Sequence, residues 1–145
     1  MKKYKIGYTC GVFDLFHVGH LNLLERCKKQ CDYLIVGMCD DTYVRTIKKK
    51  NPIVQEDDRL RILNALKCVD KAYKVDIKTT DDKLLAWNQF KFNVLFSGDD
   101  WKNTDRYKRT EEQFKKIGVS IEYLPYTKGV STTEIKMKIE ELKKS

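Results

Sequence analysis

The sequence predicts an α/β domain with a doubly wound parallel sheet, and three observations carry that prediction. Strand-like and helix-like segments alternate along the whole chain, the pattern of parallel strands joined by helical crossovers. One strand-like segment, "DYLIVGMC" at 32–39, is a near-continuous apolar run, as expected of a strand covered on both faces. The length of 145 residues suits one domain built around a hydrophobic core.

The elements follow in order. Residues 4–10, "YKIGYTC", set Tyr4, Ile6, Tyr8 and Cys10 at alternate positions, a strand pattern. From 18 to 30, His20, Leu24, Cys27 and Cys31 recur at spacings of four, three and four, one face of a helix leading into the apolar run. Residues 57–68 place Leu60, Leu63 and Leu66 on a helical stripe, and "KAYKVDI" at 71–77 reads as the third strand. Residues 81–91 read as helix and "FNVLFSG" at 92–98 as the fourth strand. A charged helix at 105–117 ends at Gly118, "VSIEYLP" at 119–125 is a fifth strand stopped by Pro125, and a last helix covers 132–144. No repeat, linker or low-complexity tract interrupts this order, so residues 1–145 are read as a single domain. Ligands of such sheets bind at the carboxyl ends of the strands.

Composition excludes several classes. Hydrophobic residues at 41%, charged residues at 34%, two prolines and seven glycines describe a globular chain and not a disordered or fibrous one. No segment approaches the ~20 apolar residues of a membrane span. The start, "MKKYKIGYTCGVF", lacks the continuous apolar run of a signal peptide. A cytoplasmic protein without membrane insertion is expected. The five cysteines, Cys10, Cys27, Cys31, Cys39 and Cys68, lack paired zinc-site spacings and read as reduced thiols; Cys27 and Cys31 read as core. The net charge of +8 raises the question of nucleic acid. The lysines are scattered, densest in "IKKKN" at 47–51, without the interleaved aromatics of a single-strand binder. No nucleic-acid partner is therefore expected.

"GVFDLFHVGH" at 11–20 holds both histidines of the chain. On this layout it connects the first strand to the first helix, where backbone N–H groups are unpaired and the helix dipole favours anions. His17 and His20 project to one side of the first turn, each able to donate to a phosphate oxygen. Gly11 and Gly19 remove side chains where a ligand meets the backbone. Asp14, His17 and His20 also have the spacing of metal ligands, but no further His or acidic residue lies nearby to complete a set, so a metal ranks below phosphate. A pair of core histidines is the plainest alternative; it is unattractive because both sit beside glycine at a strand end and histidine occurs nowhere else. At the other end of the chain, Ser131 and Glu134 form Ser-x-x-Glu, a capping box that needs no ligand. Preceded by Gly129, the same helix start is also a phosphate site.

The Phe-Asp and His-x-Gly-His elements of residues 11–20 resemble the signature of the nucleotidyltransferase superfamily. "KGVSTTEI" at 128–135 is similar to the Gly-x-Ser-Thr segment of cytidylyltransferases, and "GDDW" at 98–101 resembles the members that act on glycerol 3-phosphate. The likeness runs in register over roughly the whole chain. It implies a Rossmann-like nucleotidyltransferase fold of five parallel strands with helices on both faces. It implies transfer of CMP from CTP to a small phosphorylated alcohol, giving CDP-glycerol and pyrophosphate when the alcohol is sn-glycerol 3-phosphate. Mg²⁺ carried with CTP, a homodimer and a product that feeds cell-wall or capsule polymers are implied as well. So are residue roles. His17, His20 and Lys48 are the catalytic set, with Lys49 or Lys50 as substitutes for Lys48 after a one-residue slip. Gly11, Val12, Phe13, Gly19, Asp99, Lys128, Gly129, Ser131 and Thr132 bind CTP. Asp14, Arg59, Trp101 and Tyr126 face the acceptor.

The sequence departs from that family at one position. Tyr126 stands where most relatives carry an arginine, and a phenol offers one hydroxyl and no charge in place of a bidentate clamp. Lys128, two residues on, is expected to restore the charge. Tyr126 with Trp101 also suits a quaternary ammonium by cation-π attraction, which keeps phosphocholine or phosphoethanolamine as alternative acceptors. A phosphate-sensing or RNA-binding domain on the same fold is the non-enzymatic alternative.

Overall fold

The computed structural model describes residues 2–144. Five strands, β1 (Tyr4–Gly11), β2 (Cys31–Cys39), β3 (Lys71–Val75), β4 (Val94–Gly98) and β5 (Ser120–Leu124), form one sheet in the order β3-β2-β1-β4-β5. Every pairing is parallel. The chain builds outward from β1 through β2 to β3, then returns to add β4 and β5 on the other side. That reversal puts a topological switch point between β1 and β4.

Helices cover both faces. On one face Leu24 and Cys27 of α1 (Val18–Gln30) and Leu63 of α3 (Glu56–Ala65) pack on Leu34, Val36, Met38, Val94 and Phe96. On the other, Ala86 and Phe90 of α5 (Lys83–Phe90) and Tyr107 and Phe114 of α6 (Asp105–Ile117) pack on Tyr8, Ile35 and Leu95. The split follows from strand periodicity, since neighbours along β2 point to opposite faces. Leu63 has no exposed surface, so its truncation to alanine costs about 2–5 kcal/mol.

The structure adds two short helices absent from the sequence expectation, α2 (Asp41–Thr46) and α4 (Ile77–Asp81). Their signal was local: Asp40 and Asp76 accept the N–H groups of Tyr43 and Thr79 at 2.8 and 2.9 Å, as aspartate N-caps do. Capping by Asp76 stops β3 at Val75, two residues short of the expected strand. Asp82 in turn caps α5, so the expected helix 81–91 divides into the end of α4 and a separate α5. The helix expected over 57–68 ends at Ala65, and Cys31 closes α1 and begins β2. The helix at 105–117 ends at Gly118, whose φ of +74° suits glycine. The last helix is α7 (Thr132–Lys143).

Candidate active site

The connection from β1 to α1 is held in an uncommon shape. Phe13 and Leu15 both adopt left-handed backbone, with φ of 57° and 50°, a local cost that surrounding contacts must offset. Those contacts centre on Asp14 between them. Its carboxylate accepts the backbone N–H groups of Leu15, Ile53 and Val54 at 2.8–3.0 Å. Arg59, 1% exposed, completes the frame. It donates to the carbonyls of Val54, Val12 and Cys39 at 2.8–2.9 Å and pairs with Asp41. Asp14 and Arg59 were expected to face an acceptor. Both are instead buried positioning residues that tie the 51–54 loop to the histidine loop, which is where their hydrogen-bonding capacity goes.

His17 and His20 cap the same helix reciprocally. Nδ1 of His17 accepts from the N–H groups of Gly19 and His20 at 3.0 and 3.4 Å, and Nδ1 of His20 accepts from His17 N–H at 3.2 Å. The rings stack with centroids 3.8 Å apart. An Nδ1 that accepts carries no proton, so in each neutral ring the proton resides on Nε2. Burial, and then the neighbouring His17, hold the His20 pKa down to about 4; burial also lowers that of His17. Both rings are therefore uncharged Nε2–H donors at neutral pH. His20 is wedged between Phe13 and Phe16, with centroids 5.4 and 5.3 Å away.

The glycines serve this geometry in a way the sequence did not reveal. A Cβ on Gly19 would lie 2.9 Å from the His17 ring, and one on Gly11 would lie 3.0 Å from Phe13. The protein's own rings thus press on both glycines, while Gly11 also lines the cavity described below.

The start of α7 meets the start of α1. Thr132 Oγ1 donates to the Asp14 carbonyl at 2.9 Å, and Asn22 Nδ2 donates to Thr127 Oγ1 at 3.2 Å. The expected phosphate donor Thr132 thus spends its hydroxyl proton on the histidine loop. Ser131 Oγ accepts from Glu134 N–H at 3.0 Å, which leaves its own proton free. The N–H groups of Thr132 and Thr133, in the first turn, have no partner within the helix. Gly129 turns the preceding loop with a φ of +79°.

Beside the histidines, at the switch point, lies a cavity of about 200 Å³. Gly11 and Val12 of the histidine loop line it, while the two rings do not. Its walls include Trp101, Tyr126 and three cationic residues, Lys48, Lys83 and Arg106, and no carboxylate. Lys48 is the member of the 48–50 cluster on this wall; Lys49 and Lys50 line a separate depression with Arg45. Lys83 and Arg106 both donate to the Thr80 carbonyl, at 2.7 and 3.0 Å. Neither was singled out by sequence, because one lysine and one arginine among 29 basic residues carry no local mark. Trp101 stacks on Tyr107 at 5.5 Å and lies under the Arg106 guanidinium at 5.7 Å. Tyr126 lies over Gly98, where a Cβ would come 2.3 Å from its hydroxyl. Burial, then the charge of Asp100, push its phenol up to about 12. Asp99 and Lys128, expected at the nucleotide, are exposed and off this wall.

Among the described residues no group of three or more His, Cys, Asp or Glu is arranged to hold a metal ion, and no helix is long and apolar enough to cross a membrane.

Residues 8–138 match the cytidylyltransferase-like family. The glycerol-3-phosphate cytidylyltransferase of Bacillus spizizenii is 35% identical over 134 residues, 92% of this chain and 96% of that protein. The bifunctional protein HldE of Geobacter metallireducens is also 35% identical, over 93% of this chain, but the match spans only 27% of HldE. Among solved structures, a lipopolysaccharide core biosynthesis protein of Thermoplasma volcanium superposes with a TM-score of 0.70 at 27% identity, covering 88% of this chain and 99% of that one. Pantothenate synthetase of Thermus thermophilus, at 13% identity and a TM-score of 0.66, shares the fold.

Proposed function

The chain belongs to the cytidylyltransferase-like family, and from that premise we propose that this nucleotidyltransferase moves CMP from CTP onto sn-glycerol 3-phosphate, releasing CDP-glycerol and pyrophosphate. One observation supports the reading above others: the N-termini of α1 and α7 meet beside a cavity lined by three cationic residues and no carboxylate. The helix termini suit a triphosphate. The cavity suits a small anionic acceptor.

In this reading the acceptor phosphate lies in the cavity near Lys83 and Arg106. One of its oxygens attacks the α-phosphorus of CTP in line. The bond to the bridging oxygen breaks, and pyrophosphate leaves with the electron pair. A phosphate dianion is already nucleophilic, so positioning and charge stabilisation supply the catalysis and no general base is required. Nε2–H of His17 and His20 donate to the α-phosphate and bridging oxygens as charge grows there. Ser131 and the open N–H groups of α7 receive the β- and γ-phosphates, with Lys48 as the cation between nucleotide and acceptor. Asp14 is buried and holds three backbone amides, so a divalent ion would be held mainly by the triphosphate's own oxygens.

Glycerol phosphate is favoured over phosphocholine because a trimethylammonium would face Lys48, Lys83 and Arg106 with no carboxylate on the cavity wall. The face of Trp101 already carries the Arg106 guanidinium. A second copy of the chain is the proposed partner, by analogy with the family, and light scattering of the purified protein decides its mass.

The deciding experiment incubates the protein with CTP or ATP, Mg²⁺ and a panel of phosphorylated alcohols and sugars, measuring pyrophosphate release and product mass. CDP-glycerol formed fastest with CTP and glycerol 3-phosphate is the expected result. Preference for phosphocholine or a sugar phosphate would replace the acceptor assignment, and absence of turnover with every pair would reject the enzymatic reading.

A further inference from the structure

The floor of the cavity carries a reactive pair that the transfer reaction does not use. Cys10 lies near the end of β1 and Cys39 ends β2. Cys10 pairs with Gly37 in the sheet register, so Cys39 lies two residues further along the neighbouring strand and points to the same face. The two sulfurs are 3.8 Å apart, and both residues line the cavity. Cys10 is partly exposed there, while Cys39 is 2% exposed.

The surroundings make the two thiols unlike each other. The hydrogen bond with Cys39 pulls the Cys10 thiol down, burial opposes this, and the Lys83 ammonium adds to it. The same hydrogen bond and burial push Cys39 up. Cys39 thus keeps its proton and donates it to a Cys10 thiolate, with the Thr80 hydroxyl 3.7 Å from its sulfur. The buried Tyr8 hydroxyl, with no partner elsewhere among the described residues, also helps to lower the Cys10 thiol. By contrast, burial raises the thiols of Cys27, Cys31 and Cys68. Only the cavity pair sets a thiolate-prone cysteine on the cavity wall with a second sulfur at contact distance, the arrangement of an oxidisable cysteine beside a resolving one.

We propose that Cys10 and Cys39 form an oxidation site for hydroperoxides, in which a reversible disulfide closes the floor of the cavity and switches the transfer reaction off. In the first step the Cys10 thiolate attacks one peroxide oxygen. The S–O bond forms, the O–O bond breaks, and hydroxide or alkoxide leaves and takes a proton from solvent. In the second step the Cys39 sulfur attacks the Cys10 sulfenic acid. The S–S bond forms, the S–O bond breaks, and the leaving oxygen takes the Cys39 proton as water. Two electrons pass from the two sulfurs to the peroxide, and a thiol reductant reverses the change.

Cys39 is offset by two residues from Gly37, the strand partner of Cys10, so closing the bond draws the sulfurs from 3.8 Å to about 2.0 Å and pulls the ends of β1 and β2 towards each other. This acts on the site through Arg59, because the Cys39 carbonyl shares its guanidinium nitrogen NH1 with the Val12 carbonyl of the histidine loop. The loss of turnover rests on the transfer reading; the chemistry of the pair does not.

Peptide mapping of native protein treated with hydrogen peroxide and then alkylated tests the proposal without a variant. The expected product is a Cys10–Cys39 linked peptide, absent after dithiothreitol treatment and absent when the protein is oxidised in urea. Turnover should fall on the order of tenfold or more, since a displacement of about 1 Å in a positioned site can cost on the order of a hundredfold, and should return on reduction. Cys39→Ser, compared with its own reduced form, should form no link and trap a Cys10 sulfenic acid that dimedone labels. Failure to find the linked peptide overturns the proposal, as does a linked protein with unchanged turnover. Reduced protein that never turns over counts against the transfer reading alone, and the linked peptide then decides the site.

Discussion

The hydroxyl of Thr132 donates to the carbonyl of Asp14 at 2.9 Å, joining residues 118 positions apart. The bond fixes the first turn of α7 against the loop that carries His17 and His20. Thr132→Val removes the bond and keeps the shape. It should cost about 1 kcal/mol of stability and raise the KM for CTP several-fold while the acceptor KM stays put. An unchanged CTP KM would show that the two helix starts hold their places without it.

The histidine pair predicts an unusual titration. His20, held at about 4 against an ordinary 6.5, is neutral throughout the physiological range. A depressed folded-state pKa contributes its stability in full above pH 6.5 and loses it as pH falls from there towards 4. The His20 ring should accordingly titrate near pH 4 by NMR, with the melting temperature declining over the same interval. A ring that titrates near 6.5 would contradict the buried, stacked arrangement. His17→Ala or His20→Ala should lower kcat on the order of a hundredfold, the usual effect of losing one donor to a developing oxyanion.

Gly19→Ala tests whether the ring positions themselves matter. The added methyl would lie 2.9 Å from His17, and the ring is the part free to move. Far-ultraviolet circular dichroism should be unchanged while kcat falls on the order of a hundredfold, the effect expected of a ~1 Å displacement. Full activity would mean that the imidazole tolerates a new rotamer.

Asp14→Asn keeps size but substitutes two donors for one of the oxygens that accept Leu15, Ile53 and Val54 N–H. Unfolding in urea should show a loss of about 1–3 kcal/mol, accompanied by weaker CTP binding in calorimetry. A variant as stable as the parent would remove Asp14 from its structural role and return it to the acceptor side.

Two lysines separate the halves of the site. Lys83→Met should raise the KM for the acceptor on the order of tenfold or more, because a charge-assisted hydrogen bond is worth about 1.5–3 kcal/mol, and leave CTP binding nearly intact. Lys128→Ala should raise the KM for CTP if it replaces the arginine absent at Tyr126. Its exposed place off the cavity wall makes an unaffected acceptor KM the second expectation. An unchanged CTP KM would reject the compensation.

Features written over three or four neighbouring residues were legible before any coordinates. His17 and His20 share the first turn of α1, Ser131 caps α7, and Gly118 ends α6, each through contacts within a few positions. The order of strands and helices was legible for the same reason, since apolar periodicity reports which face of each element is buried. Even the omitted helices α2 and α4 carried a local signal in Asp40 and Asp76.

What Asp14, Arg59, Lys83 and the two cavity cysteines do was settled only when the sheet was assembled. Asp14 finds its amides about forty residues away, Arg59 draws the histidine loop and the end of β2 together, and Cys39 reaches Cys10 from the neighbouring strand. Local chemistry determines where a helix starts and which ring nitrogen caps it. The strand order determines which distant carbonyl, ammonium or thiol arrives beside it, and a buried polar group must take whichever partner the packing brings.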